Sequence, residues 1–448
     1  MVIVALLSLF ALLLFCVWAL LAYRWPLQTF AVLFFSILTL HERTQLENLL
    51  GNITAATSGG ASFVDILWLG FLLGAGLSLA PKFKLKTSLQ LPSAIWLLLP
   101  YTLCSIFLPI LGAVILYIQS DSGLSYLSTG ARQLQWFLLA VFAFGLAQKF
   151  STRSLLSILV NTVLASVLFH AAYASMQWLV TEGVLPPSLR YIDTEYFSNN
   201  EWFKRSPRPT GFTLRPTALA LIGTIGLSFA LAELTNNTRG RISKLLLLVG
   251  SMTCLLFSSD RLILLGAVSA VFAVGALLVF RQTVRLRTTI GALASVLLAP
   301  ALLFILPEYH RIRITRLFSE QLFEEQNISE RVERWVYYLN DIVPSYPLGT
   351  GIQPTYAGTL PVDNYYLTTF VQGNVLYLLF FLVFMLGLLW LSLNLLQRNY
   401  PNTFLGSSLA FLTVATLISS VGAAPLFDVP YIASIWILTG ASLAAYKV

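Results

Sequence analysis

RLILLGAVSAVFAVGALLVF runs from Arg261 to Phe280. After its first residue it carries no charged side chain, and the next charge is Arg281. A helix rises about 1.5 Å per residue, so about 20 apolar residues span the ~30 Å hydrocarbon core of a bilayer. A membrane β-strand would instead alternate apolar and polar positions over about ten residues, and this stretch does not. It reads as a transmembrane helix.

Runs of the same kind recur along the whole chain. Candidate spans cover roughly 2–22, 27–40, 62–80, 92–118, 131–149, 153–180, 212–234, 242–258, 261–280, 287–306, 366–396, 404–424 and 430–446. The run at 27–40 is short enough to be re-entrant, so 12 or 13 crossings are expected. The composition agrees: 57% of the 448 residues are hydrophobic and 10% are charged. A soluble globular chain carries roughly 25% charged residues. The expected fold is an all-α polytopic membrane protein, a single integral membrane domain over 1–448. The first run, MVIVALLSLFALLLF, has no basic flank and no small-residue cleavage site, so it reads as a retained helix.

Lys and Arg set the orientation. Alternate connections, starting from Lys82, Lys84 and Lys86, collect Arg24, Lys149, Arg153, Arg239, Arg241, Lys244, Arg281, Arg285, Arg287, Arg398 and Lys447. The short connections opposite hold Arg43, Arg132 and Arg261. The first side is therefore read as cytoplasmic. The net charge of +8 is then mostly a topology signal and an attraction to anionic lipid, not a nucleic-acid surface. Two long polar segments, 181–211 and 307–365, fall on the outer side. The second holds Val332, Trp335, Val336, Leu339 and Ile342 near i, i+3, i+4, i+7 spacing, which predicts a helix lying on the membrane surface, preceded by another around 312–325.

Ionisable residues next to apolar runs need a physical reason. RPTGFTLRPTALAL (Arg208 to Leu221) opens a span with Arg208 and Arg215. Its readings are a capped helix start with snorkelling arginines, or an anion site of guanidinium groups and helix N–H groups. SSDRLILLGA (Ser258 to Ala267) carries Arg261 beside Asp260, an interfacial ion pair or a further arginine for the same outer cavity. SERVERWVYYLND (Ser329 to Asp341) offers Arg331 and Arg334, and PLGTGIQPTY (Pro347 to Tyr356) reads as loop punctuation rather than a phosphate cradle. PVDNYYLTTFVQGN (Pro361 to Asn374) places Asp363 and Asn364 at a helix start, where either caps the first N–H groups. His170, near Tyr173 and Gln177, reads as a satisfied core histidine. Three scattered histidines and three cysteines in apolar runs form no metal set. No nucleotide-binding loop is visible.

Taken in order, RPTGF, an S-x-R element between helices, an R-x₃–₄-W-type amphipathic helix, a PLGTG turn and an acid- or His-containing N-x-YL before the next span resemble the O-antigen ligase and O-antigen polymerase (Wzy-type) superfamily. The resemblance covers about residues 130–425, with its motifs between Arg208 and Gly373. It implies a GT-C-like membrane glycosyltransferase that uses a polyprenyl-diphosphate-linked saccharide at the outer face of the bacterial cytoplasmic membrane. It implies no metal, no other cofactor and no nucleotide sugar. In ligases of the superfamily the position matching Asp363 is a histidine read as the acceptor base. Aspartate there resembles the polymerase and exopolysaccharide branch.

On that resemblance, Arg208, Arg215 and Arg261 would stabilise the charge that builds on the leaving diphosphate, with Arg331 and Arg334 behind them. Asp363 would take the acceptor's hydroxyl proton, and Asn364 and Tyr365 would orient the sugar. The expected partners are the lipid-linked donor, a saccharide acceptor, membrane lipid and a chain-length regulator, with no nucleic acid. The alternatives are a ligase moving polymer to lipid A core or protein, and a transporter of lipid-linked sugar or a small anion. Transporters favour broken helices at the midplane, whereas the polar clusters here lie in one-sided loops.

Overall fold

The computed structural model describes residues 2–40, 63–80, 94–119, 124–186, 209–213, 215–236, 240–280, 326–346, 349–350 and 364–446. Among these residues every regular element is helical. In chain order they are α1 (Val2–Arg24), α2 (Pro26–Leu40), α3 (Phe63–Leu79), α4 (Ala94–Gln119), α5 (Leu124–Phe150), α6 (Thr152–Thr181), α7 (Pro216–Asn236), α8 (Arg241–Ser258), α9 (Arg261–Phe280), α10 (Gln326–Tyr337), α11 (Tyr365–Leu395), α12 (Asn402–Ser419) and α13 (Val429–Tyr446). A π-helical turn, Tyr338–Ile342, and one further turn, Val343–Ser345, extend α10.

Seven of these helices, α6 to α9 and α11 to α13, are long and apolar enough to cross a membrane. Shorter apolar helical stretches lie at Leu12–Arg24, Pro26–Thr39, Val64–Leu79 and Ala94–Ile110. The chain is a polytopic helical membrane protein. Each expected span is matched by a helix except 287–306, which lies outside the described residues, as do the expected helix at 312–325 and most of the 181–211 segment.

Both the packed and the outward faces are apolar, which only lipid makes inexpensive. On α3, Leu69, Leu73 and Leu77 are 54%, 49% and 59% exposed at i, i+4, i+8 spacing. Phe71 and Ala75, from the opposite face, are fully buried. In water those three half-exposed leucines would each forfeit about 1 kcal/mol of burial. α7 differs, because it is apolar all round and buried nearly end to end from Pro216 to Glu233.

The chain forms two compact units. The first comprises Met1–Gln90, Phe142–Asp260 and Asp428–Ser434, and the second Leu91–Val141, Arg261–Phe427 and Ile435–Val448. In the first, α1 packs on α3 and α7 packs on α8 and α6. Small residues permit this. A Cβ on Gly74 would collide with the Ala19 carbonyl, and Trp18 Nε1 donates to the Leu67 carbonyl at 2.7 Å across the same crossing. In the second unit, α12 packs on α9 and α11, and α11 on α4. A Cβ on Gly266 would lie 2.9 Å from the Ala415 carbonyl, and one on Gly406 would lie 2.8 Å from the Ser392 carbonyl.

Candidate functional site

In the first unit, residues 209–213 of the RPTGF region form a tight turn docked on α6. Gln177 and His170 stand on one face of that helix, seven residues apart, with Tyr173 between them. Gln177 Oε1 accepts the N–H groups of Thr210 and Gly211, both at 2.9 Å. Two backbone donors on one atom fix it as the amide oxygen. Its Nε2 donates to Thr210 Oγ1 at 3.2 Å and to the Gly211 carbonyl at 3.4 Å. The Phe212 N–H donates to His170 Nδ1 at 3.1 Å, so the proton sits on Nε2, which donates to the Leu38 carbonyl at 3.1 Å. His170 is thus a satisfied core histidine, and its partner is the arginine motif. The Phe212 ring lies flat on Phe169, centroids 3.9 Å apart, and 4.3 Å from Tyr173. Gly211 has φ +62°, and a Cβ there would lie 2.8 Å from Leu219 Cδ1 and 2.9 Å from His170 Nδ1.

The turn hands over to α7 at Arg215. Thr213 Oγ1 lies 2.6 Å from the Thr210 carbonyl and 2.9 Å from that of Arg215. Pro216 then begins the helix, where its missing N–H costs nothing. The Arg215 side chain is 56% exposed and stands 3.8 Å from Asp428, whose side chain is 6% exposed. One residue into α7, Thr217 Oγ1 donates to Asp260 Oδ2 at 2.9 Å. Two carboxylates therefore stand beside the start of α7. The Asp260 carboxylate has Thr217 as a partner, and Asp428 was not foreseen as a partner of Arg215.

In the second unit, widely separated motifs meet around the end of α12. Arg331 on α10 donates from Nη1 to the Gly422 carbonyl at 3.3 Å. Leu262, next to Arg261 at the start of α9, packs so closely on Gly422 that any Cβ there would collide with it. The Tyr365 N–H, at the start of α11, donates to the Ser420 carbonyl at 2.8 Å. Tyr366 Oη donates to the Leu417 carbonyl at 2.6 Å. The helix α10 turns Tyr338 inward and half-buries Arg331, Arg334 and Trp335, while Val332, Val336 and Leu339 form an exposed apolar stripe. Arg334 pairs with Glu330 at 3.6 Å one turn back, an exposed pair of small energetic weight.

The start of α11 separates capping from chemistry. Asn364 is the N-cap, and its side chain accepts the Leu367 N–H at 3.0 Å. Tyr365 is 3% exposed. Its hydroxyl lies 2.7 Å from that of Tyr101, and its ring meets Phe381 and Phe427 edge-on at 5.1 and 5.2 Å. Asn364 thus spends its side-chain oxygen on the helix, and the Tyr365 ring is packed among aromatic side chains.

Farther in, α11 is broken: Gly373 and Asn374 leave helical geometry, Asn374 at φ 57°, ψ −167°. The Val371 carbonyl, freed by the break, accepts the Thr350 N–H at 3.0 Å, and the Val375 N–H turns to Asn374 Oδ1 at 2.6 Å. Gly349, at φ +90°, lies where a Cβ would strike the Gln372 carbonyl. Gly349 and Thr350 therefore plug the helix break.

Of the predicted residues, Arg208 and Asp363 lie outside the described residues. Arg215 lies in the first unit, and Arg261, Arg331, Arg334, Asn364 and Tyr365 lie in the second. Among the described residues no group of three His, Cys, Asp or Glu is placed to hold a metal ion. No protein-family model matches the chain, and no curated protein matches it.

Proposed function

We propose that the protein is a polysaccharide polymerase of the bacterial cytoplasmic membrane, joining polyprenyl-diphosphate-linked repeat units into O-antigen or a related envelope polymer at the outer face. In this reading the chain has 12 or 13 crossings and a GT-C-like architecture. Its two long outer segments carry interfacial helices, and the site faces the periplasm or cell exterior. The observation that carries it is the meeting of three motif regions at the end of α12: the start of α9 after Arg261, the Arg331 side chain, and the start of α11 after Asp363. Residues up to about 160 positions apart along the chain converge there on the backbone from Leu417 to Gly422.

The chemistry follows from charge. The acceptor hydroxyl oxygen attacks the anomeric carbon, and its proton passes to the Asp363 carboxylate. The bond from that carbon to the diphosphate oxygen breaks, and the polyprenyl diphosphate leaves with the electron pair. Direct attack inverts the anomeric centre. Arginines serve the leaving group because they stay charged and fork onto phosphate oxygens. A positioned base contributes roughly 10²–10⁴-fold.

The test is polymer formation by the purified protein in nanodiscs, given an undecaprenyl-diphosphate-linked repeat unit and a metal chelator. A ladder of products is expected, and Arg208→Ala, Arg261→Ala and Asp363→Ala each abolish it while the protein stays membrane-inserted. Long polymer from all three variants refutes the assignment. A ligase would leave a deletion strain with no sugar on its acceptor and with accumulated lipid-linked polymer, whereas polymerase loss leaves single repeat units on the acceptor.

A further inference from the structure

Gln177 spends both ends of its amide on one five-residue turn, and His170 gives that turn its Nδ1 while its Nε2 holds the Leu38 carbonyl of α2. Between them they hold three consecutive backbone N–H groups, those of Thr210, Gly211 and Phe212. Both side chains are buried, Gln177 at 2% and His170 at 0% exposure. A buried amide and imidazole inside a membrane helix are costly unless fully satisfied, and hydrophobic side chains would fill the same volume more cheaply. Apolar replacements would strand three N–H groups, so these two polar residues and the turn form one built unit.

The output of that unit is the entry to α7. The clamp fixes Thr210 and Gly211, the Thr213 hydroxyl joins the Thr210 and Arg215 carbonyls, and Pro216 fixes the backbone that follows. Arg215, shortly beyond the clamp, has a largely exposed side chain that stands beside the buried carboxylate of Asp428. We propose that Gln177 and His170 are positioning residues for Arg215, holding its guanidinium where it meets a diphosphate group. Asp428 restrains the same guanidinium from below. This inference rests on the proposed function, because it takes the diphosphate as the ligand of Arg215.

The probe is inorganic pyrophosphate, titrated against the full chain in nanodiscs, with affinity read on the folded fraction. Arg215→Ala is expected to weaken binding at least about tenfold, the loss of one charge-assisted contact. Gln177→Met keeps the side-chain volume and removes the four hydrogen bonds that Gln177 makes to the turn, leaving the His170 bond to Phe212. It is expected to weaken binding by about tenfold and to deprotect the amides of Thr210 and Gly211 to hydrogen exchange. Gln177→Glu keeps an oxygen that accepts both N–H groups and is expected to hold affinity within about threefold of the unsubstituted protein. A purely structural role would lower yield and melting temperature but leave the affinity of folded protein unchanged. If Gln177→Met fails to accumulate, Gly211→Ala displaces the same turn by sterics and carries the same expectation. Unchanged affinity in the turn variants, alongside a loss in Arg215→Ala, overturns the positioning role and leaves the polymerase reading standing. Unchanged affinity in Arg215→Ala overturns the positioning role and removes Arg215 from the proposed diphosphate site.

Discussion

Adjacent residues at the start of α11 should fail in opposite ways. Asn364 caps the helix through the Leu367 N–H at 3.0 Å, and its own carbonyl accepts from the Thr368 N–H at 2.9 Å and from Thr368 Oγ1 at 2.8 Å. Asn364→Ala removes only the side-chain bond, a cost of about 1 kcal/mol. That is about fivefold more frequent opening of the first turn, read as faster hydrogen exchange at Leu367. Polymer formation should fall less than about tenfold, because the backbone bonds of the turn remain. Asp363→Asn leaves the Asn364 cap intact, so exchange at Leu367 should not change. It removes the carboxylate, and turnover should fall by roughly 10²–10⁴-fold, equivalent to about 3–5 kcal/mol of barrier. The assays are hydrogen-exchange mass spectrometry and single-turnover polymer formation on the same nanodisc preparations. The separation of roles is refuted if Asn364→Ala abolishes polymer formation while Asp363→Asn retains more than about a tenth of the rate.

Two other substitutions test the frame. Gly349→Ala forces a left-handed backbone and drives a Cβ into the Gln372 carbonyl, so it should cost about 1–3 kcal/mol and melt at lower temperature in nanodiscs. An unchanged melting point would mean the turn is not docked on the helix break. On α10, spin labels at Val332, Val336 and Leu339 should collide more with dissolved oxygen than with a water-soluble nickel chelate, since this exposed apolar stripe is read as lying in the lipid interface. The reverse preference would place that face in water.

The spans were legible because apolar runs of membrane length are long and repeated. The start of α7 was expected near residue 212 and lies at Pro216. The apolar count cannot see that Gly211 adopts positive φ and that the segment before Pro216 is a turn. His170, Tyr173 and Gln177 could be placed on one helix face from their spacing, but not what that face holds, since the turn lies about 35 residues further along the chain. The Asn364 cap follows the usual cap chemistry and was readable. The burial of Tyr365 was not, because its partner Tyr101 is 264 residues away. Gly373 and Asn374 are residues that end helices, yet the apolar run continuing past them hid the break.

That break gives α11 a graduated length. From Val375 to Leu395 the helix measures about 32 Å, close to the ~30 Å of a bilayer's hydrocarbon. The stem from Tyr365 to Gln372 is a separate piece about 12 Å long. If the long piece fills the hydrocarbon, the stem and its Asn364 cap lie beyond it. In the proposed polymerase the stem's length would then set how far Asn364 stands from the break, and removing one helical turn would shorten that distance by about 5 Å.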